Sequence, residues 1–194
     1  MKRKRDRGTT YLLFISVAAL ILVVGLISLQ PQATLLRLIS RGTSLLGYCA
    51  IFLAIISAAY LQQVVRIFGR SFIQVHHVLS VAGLILITVH PLTLALESPS
   101  WRLFLPSFDS LTSFLRLGGR PAWYLLAIAA LAAVWRRRMS RGWRVLHILN
   151  YVAFWLGTAH AMMIGTDFQF SAVRLAAIGM SLAVVAVFVQ KRFL

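Results

Sequence analysis

All five histidines of this sequence lie in two long apolar segments, at spacings that suit metal ligation. His76 and His77 are adjacent in the first segment, and His90 follows His76 by 14 positions; His147 and His160 are 13 positions apart in the second. Ionisable side chains inside membrane-length apolar segments are costly and mark functional positions by default. At about 1.5 Å per residue, these separations are roughly 21 and 20 Å, so each helix carries a histidine near each side of a bilayer.

Two histidines at each of two depths predict two stacked bis-imidazole sites, because haem iron accepts one imidazole from each side. The predicted topology pairs His76 with His147 on the inner side and His90 with His160 on the outer side. A lone membrane histidine is a packed group bonded to a neighbouring helix about as often as it is a functional ligand. A zinc or proton-relay site is another alternative, but a metal cluster would gather its ligands at one depth. We expect two b-type haems with these four histidines as iron ligands.

Helix rotation supports one spacing and not the other. Fourteen residues at about 100° each return to within about 40° of the starting face, whereas 13 residues fall about 140° short of it. The step from His147 to His160 therefore needs an explanation. A π-bulge, a kink near Gly157, or ligands that approach the two haems from different sides would each provide one.

Other residues near the four histidines are candidates for supporting roles. His77 is either a polar residue at the inner interface or a hydrogen-bond donor to an inner haem propionate. Gly83, midway between the histidines of its segment, would allow a porphyrin or a neighbouring backbone to approach closely. Four arginines at predicted helix ends are candidates for pairing with haem propionates, namely Arg70 and Arg144 on the inner side and Arg116 and Arg120 on the outer side.

The elements that must position these residues are membrane-spanning helices. The 194 residues are 60% hydrophobic and 12% charged, with a mean hydropathy of +0.84, and a soluble domain needs more surface charge than this. One span takes about 20 apolar residues. We predict an all-α membrane protein, a single domain over residues 1–194 that forms a six-transmembrane-helix bundle with the haems between helices 3 and 5. The predicted spans are 11–29, 44–67, 72–96, 121–135, 145–164 and 172–190.

The net charge of +16 indicates topology and not nucleic-acid binding. With the N-terminus inside, the inner segments hold 14 of the 20 lysines and arginines, which places both termini in the cytoplasm. The predicted location is therefore a bacterial inner (plasma) membrane, with lipid around a multi-pass chain. The single cysteine, Cys49, excludes an intrachain disulfide and a cysteine-ligated cluster.

The two histidine-bearing segments resemble the ferric-reductase-like transmembrane domain superfamily. The resemblance rests on HHVLSVAGLILITVH, which begins at His76, and on WRVLHILNYVAFWLGTAH, which begins at Trp143. That superfamily includes the membrane cores of NADPH oxidases, ferric reductases and the haem-binding subunit of the periplasmic methionine sulfoxide reductase system. Trp143, Leu146 and His147 match its Trp-x-x-Leu-His element, and His77 stands where members usually have a basic residue. Because this sequence has His76, its histidine pattern is closer to that of the two-haem oxidases and reductases than to that of the sulfoxide reductase subunit.

The resemblance implies an oxidoreductase component that moves electrons from a cytoplasmic or membrane donor to an extracytoplasmic acceptor. Members usually continue into a soluble FAD- and NAD(P)H-binding domain, and this sequence contains no Gly-x-Gly-x-x-Gly element. We therefore expect a separate flavoprotein, a bound flavin or a quinol as donor, and ferric iron, dioxygen or an extracytoplasmic redox partner as acceptor. The alternatives are a non-catalytic haem-binding membrane anchor that conducts electrons for a separate redox enzyme, and a histidine-relay transporter.

Overall fold

A computed structural model of the chain describes residues 34–60, 65–66 and 72–193, and every regular element within these ranges is a helix. The predicted first span at 11–29, the basic run at 1–7 and Arg70 lie outside the described residues. The chain divides into two compact units, Met1–Glu97 and Ser98–Leu194. The first unit contributes two of the four candidate histidines and the second unit contributes the other two.

Among its described residues, the first unit has two long antiparallel helices, α1 (Leu35–Ala59) and α2 (Phe72–Glu97). α1 begins where the side chain of Thr34 accepts a hydrogen bond from the backbone N–H of Arg37, at 3.2 Å. This N-cap satisfies one of the amide groups that a helix start leaves without an intrahelical partner. The helix therefore starts nine residues before the span predicted at 44–67. α2 covers the span predicted at 72–96.

Close backbone contact holds α1 against α2. A Cβ atom built on Gly83 would lie 2.8 Å from Cδ1 of Ile51 and 3.2 Å from its backbone nitrogen, and one built on Gly47 would lie 2.7 Å from Cγ1 of Ile87. Small residues at such positions let two helices approach closely, which is how apolar helices gain packing energy without a hydrophobic driving force. Gly83 thus meets a neighbouring backbone, one of the two roles that its spacing predicts.

The second unit contains five α-helices among the described residues. They are α3 (Leu111–Arg116), α4 (Gly119–Val134), α5 (Gly142–His147), α6 (Leu149–Ile164) and α7 (Ser171–Phe193). α4 packs along α6, and its buried stripe consists of Ala122, Leu126, Ala129 and Ala132. The small side chains in this stripe allow the same close approach as the glycines of the first unit.

The span predicted at 145–164 is two helices, because the α-helical bonding is interrupted at Ile148. The N–H of Ile148 bonds the carbonyl of Val145, and the N–H of Tyr151 bonds the carbonyl of Ile148, at 3.3 and 3.0 Å. Both bonds span three residues and tighten the chain locally into a 3₁₀-like turn. The interruption directly follows His147, whereas Gly157 lies inside α6.

Three of these helices are long and apolar enough to cross a membrane: α1, the Ile73–Glu97 portion of α2, and α7. α4 is apolar but has only 16 residues, which is about 24 Å at 1.5 Å per residue and less than the roughly 30 Å of a bilayer's hydrocarbon core. The described part of the chain is therefore all-helical, and the chain is a membrane protein. The six-span bundle stays a prediction, because only three described helices reach spanning length.

Candidate functional site

The two candidate histidines of each unit are well separated in sequence and lie near different helix ends. His76 and His90 both belong to α2, near its beginning and toward its end. His147 is the last residue of α5, and His160 lies in the last turns of α6. All four side chains are partly buried. Each could therefore contact both a neighbouring helix and a bound group.

In the first unit, both histidines are oriented by backbone carbonyls of α1. Nδ1 of His76 lies 3.0 Å from the carbonyl oxygen of Ala54. Nδ1 of His90 lies 3.0 Å from the carbonyl oxygen of Ser40 and 2.8 Å from its hydroxyl. A carbonyl oxygen can only accept, so Nδ1 carries the ring proton in each bond. Ala54 and Ser40 are 14 positions apart on α1, the same separation as the two histidines of the antiparallel α2.

In the second unit, carbonyls of two different helices orient the two histidines. Nδ1 of His147 lies 3.3 Å from the carbonyl oxygen of Ala129 in α4, and Nδ1 of His160 lies 2.7 Å from that of Arg116 at the end of α3. Ala129 and Arg116 are 13 positions apart, again the same separation as their histidines. The bond of His147 is the longest of the four, and the Asn150 amide nitrogen is also 3.2 Å from its Nδ1.

This arrangement gives a physical account of the 13-residue step. His147 bonds α4 and His160 bonds α3, so the two rings do not need to lie on one face of a continuous helix. The 3₁₀-like turn at Ile148 changes the rotation further, since each residue of such a turn adds about 20° relative to an α-helix. Ligands that approach from different sides, one of the three explanations considered from the sequence, fit these contacts.

Carbonyl contacts place the ring proton on Nδ1 of His76, His90 and His160, whereas at His147 the Asn150 amide, which is a donor, competes with the Ala129 carbonyl for the same nitrogen. With the proton on Nδ1, the basic lone pair of a neutral imidazole is on Nε2. Histidines that bind metals almost always donate their other ring N–H to a carbonyl, carboxylate or water, which fixes the tautomer and the ring orientation. The Ser80 hydroxyl lies 3.5 Å from Nε2 of His76, so a metal at that nitrogen would have to displace this contact. With that rearrangement, the residues present fit metal ligation through Nε2.

A compact metal cluster is not seen within the ranges that the structure describes, where no three His, Cys, Asp or Glu side chains come together in a way that could hold a metal ion. A zinc site of the usual kind needs three or four such ligands. A bis-histidine haem takes one ligand from each side of its plane and does not need this clustering.

The other predicted site residues within the described ranges are His77 and three arginines, which differ in exposure and in contacts. His77 is exposed, with its ring centroid 6.1 Å from that of His76. Arg144 is exposed, and its guanidinium carbon is 5.9 Å from the centroid of Trp143. Arg116 is the last residue of α3, and Arg120 is the second residue of α4. The carbonyl of the first holds His160, and a guanidinium nitrogen of the second donates to the Leu105 carbonyl at 2.7 Å.

Sequence reasoning missed two contacts of these histidines. Ser40 is only 3% exposed and bonds His90 through both its hydroxyl and its carbonyl. Gly119 lies against the ring of His160, because a Cβ atom there would be 2.9 Å from Nε2. The Gly118–Gly119 pair before an apolar helix was the one available signal, since close backbone approach often requires glycine.

The fold and these contacts together define an all-helical membrane protein with four carbonyl-oriented histidines. The chain belongs to the family described as a domain of unknown function, DUF8596, whose model matches residues 35–167. The matched range includes all four histidines and their four carbonyl partners. Comparison with curated proteins and with solved structures found no match.

Proposed function

We propose that this chain is a di-haem b-type membrane protein that transfers electrons from a cytoplasmic or membrane donor to an extracytoplasmic acceptor, in the manner of the ferric-reductase-like domains it resembles. The observation that carries the proposal is the set of four Nδ1-to-carbonyl contacts at His76, His90, His147 and His160. The proposal includes a six-span bundle with both termini in the cytoplasm and a bacterial inner membrane as its location.

The chain's own residues supply ligands whose orientation is set before any group binds. Each bonded carbonyl would hold the plane of its imidazole and keep the proton on Nδ1, so that iron would be bound through Nε2. A carbonyl that accepts this proton also makes the imidazole a stronger electron donor. The four rings share the kind of backbone acceptor that metal-binding histidines commonly have.

The proposed pairs are His76 with His147 on the inner side and His90 with His160 on the outer side. Bound haem iron would supply one-electron exchange, and the two histidines of each pair would hold it. This ligation favours electron transfer over substrate binding at the metal. The proposed donor is a separate flavoprotein or a quinol, and the acceptor is ferric iron, dioxygen or an extracytoplasmic redox partner.

Haem stoichiometry and a reduced-minus-oxidised spectrum of the purified protein test this proposal. We expect two b-type haems per chain in the wild type, and one in each of the four single His→Ala variants. His77→Ala is the matched control, because it removes an exposed imidazole from the same helix as His76 and should leave both haems. A wild type without a b-type α band, or four single variants with unchanged haem content, would refute the proposal.

Double variants test the pairing separately from haem binding itself. His76→Ala combined with His147→Ala should retain one haem, because both substitutions remove ligands of the same iron. His76→Ala combined with His160→Ala should retain none. The opposite pattern would show that the pairs are crossed, while leaving the haem assignment in place.

A further inference from the structure

Gly119, the first residue of α4, leaves room for the ring of His160. A Cβ atom at this position would lie 2.8 Å from Cδ2, 2.9 Å from Nε2 and 3.2 Å from Cγ of that ring. Carbon atoms in favourable contact are about 3.5–4.0 Å apart, so even a methyl group does not fit while the ring keeps its place. The three distances place such an atom over the face of the imidazole, above the Cδ2–Nε2 bond, while Nδ1 of the same ring bonds the Arg116 carbonyl.

The ring cannot avoid such a methyl group without losing its bond to α3. The bond from Nδ1 to the Arg116 carbonyl is 2.7 Å long, the shortest of the four histidine contacts. The turn that carries this carbonyl is itself bonded, with Gly118 N–H to the Leu115 carbonyl and Arg120 N–H to the Leu117 carbonyl, both at 3.0 Å. The acceptor is therefore held in place, and movement of the ring would stretch or break the bond.

Backbone conformation does not require glycine at position 119. The residue is helical, and its φ is not in the left-handed region. Alanine is favoured over glycine in a helix because glycine loses more conformational freedom on folding. The contact with His160 is thus the feature of this position that accounts for a residue without a side chain.

We propose that Gly119 is a positioning residue for the ring of His160. It lets the face of the imidazole lie against the start of α4 while Nδ1 bonds the Arg116 carbonyl, an orientation that would leave the in-plane lone pair of Nε2 for the iron. This inference rests on the proposed function, because it concerns the haem that His160 helps to hold. Gly119 does not contact the metal in this proposal and acts through the orientation of the ring.

Gly119→Ala in the full-length, haem-loaded protein tests the proposal, and Gly179→Ala in α7 is the matched control. A Cβ atom at Gly179 would meet nothing within 4 Å, so this substitution adds the same methyl group without a contact. The readouts are haem per chain, the electron paramagnetic resonance spectrum of the oxidised protein, which reports the orientation of the axial imidazoles, and the unfolding temperature.

We expect Gly119→Ala to lose one of the two haems or to shift the resonance of one and not the other, with Gly179→Ala like the wild type. Haem content and resonances equal to those of Gly179→Ala would overturn the inference and leave the proposed function intact. A wild type without haem would instead refute the proposed function itself. The two failures are therefore distinguishable.

A second comparison covers the case in which the methyl group prevents folding. His160→Gly removes the ring, so Gly119→Ala in that background has no ring to contact. Imidazole added from solution should restore the second haem's spectrum in His160→Gly, and should need a roughly tenfold higher concentration when Gly119→Ala is also present, the lower end of the usual effect of disturbing a ligand's support. Equal imidazole concentrations in the two backgrounds would overturn the inference.

Discussion

Replacement of Ser40 by alanine should weaken binding of the haem proposed at His90 without affecting the other proposed haem. The serine is 3% exposed, and His90 Nδ1 lies 2.8 Å from its hydroxyl oxygen and 3.0 Å from its carbonyl oxygen. The substitution removes the hydroxyl and keeps the carbonyl. The ring N–H therefore retains one acceptor, and no buried donor is left without a partner.

This remaining acceptor determines how much free energy of haem binding the substitution should remove. A neutral hydrogen bond contributes about 1 kcal/mol net, whereas a buried donor left without a partner would cost up to about 3 kcal/mol. We expect the smaller value for Ser40→Ala. Since 1.4 kcal/mol corresponds to tenfold in an equilibrium constant, about 1 kcal/mol corresponds to roughly fivefold weaker haem binding at the His90 site.

Haem transfer to an excess of a soluble haem-acceptor protein measures this change, because the two haems can be followed as two phases. Ser44→Ala is the control, since the Ser44 hydroxyl bonds the Arg41 carbonyl of its own helix at 2.9 Å. Ser40→Ala should shift one phase about fivefold, with Ser44→Ala unchanged. Identical behaviour of the two variants, or an equal shift of both phases in Ser40→Ala, would refute the reasoning.

Two further predictions concern the packing of α1 against α2. Gly83→Ala should lower the free energy of unfolding by about 1–3 kcal/mol, because the added Cβ would lie 2.8 Å from Cδ1 of Ile51. Thermal unfolding in detergent measures this change. A midpoint equal to that of Gly179→Ala would contradict the prediction. Glu97→Gln should lower the free energy of unfolding by less than about 1 kcal/mol, and by less still at high salt. The reason is that the carboxylate of Glu97 pairs at 2.8 Å with an Arg37 side chain that is 64% exposed. A larger loss of stability in denaturant unfolding that does not change with salt would contradict this prediction.

The sequence alone indicates the class of the protein and the candidate ligands. Apolar segments of membrane length can be recognised without a structure, because burial in lipid requires about 20 consecutive apolar residues. α2 (Phe72–Glu97) accordingly lies where the span at 72–96 was predicted. Histidines inside such segments stand out for the same reason, since a polar ring in an apolar segment needs a partner.

Helix ends and interruptions were less predictable. α1 starts at Leu35 because Thr34 caps it, although the hydropathy of the segment suggested a later start at 44. The predicted fifth span is interrupted at Ile148, a residue whose side chain gives no sign of a break. Both features depend on local hydrogen bonding and not on the apolar pattern from which spans are predicted.

The four histidines show most clearly what each level of structure decides. The sequence determined their positions and the 13- and 14-residue spacings between them. Only the tertiary structure decided that Nδ1 of each ring lies within hydrogen-bond distance of a backbone carbonyl, with matching spacings of 13 and 14 between the carbonyls. Every residue has a carbonyl, so a sequence cannot mark which ones accept. That choice depends on which turns of neighbouring helices come into contact, as does the space that Gly119 leaves for His160.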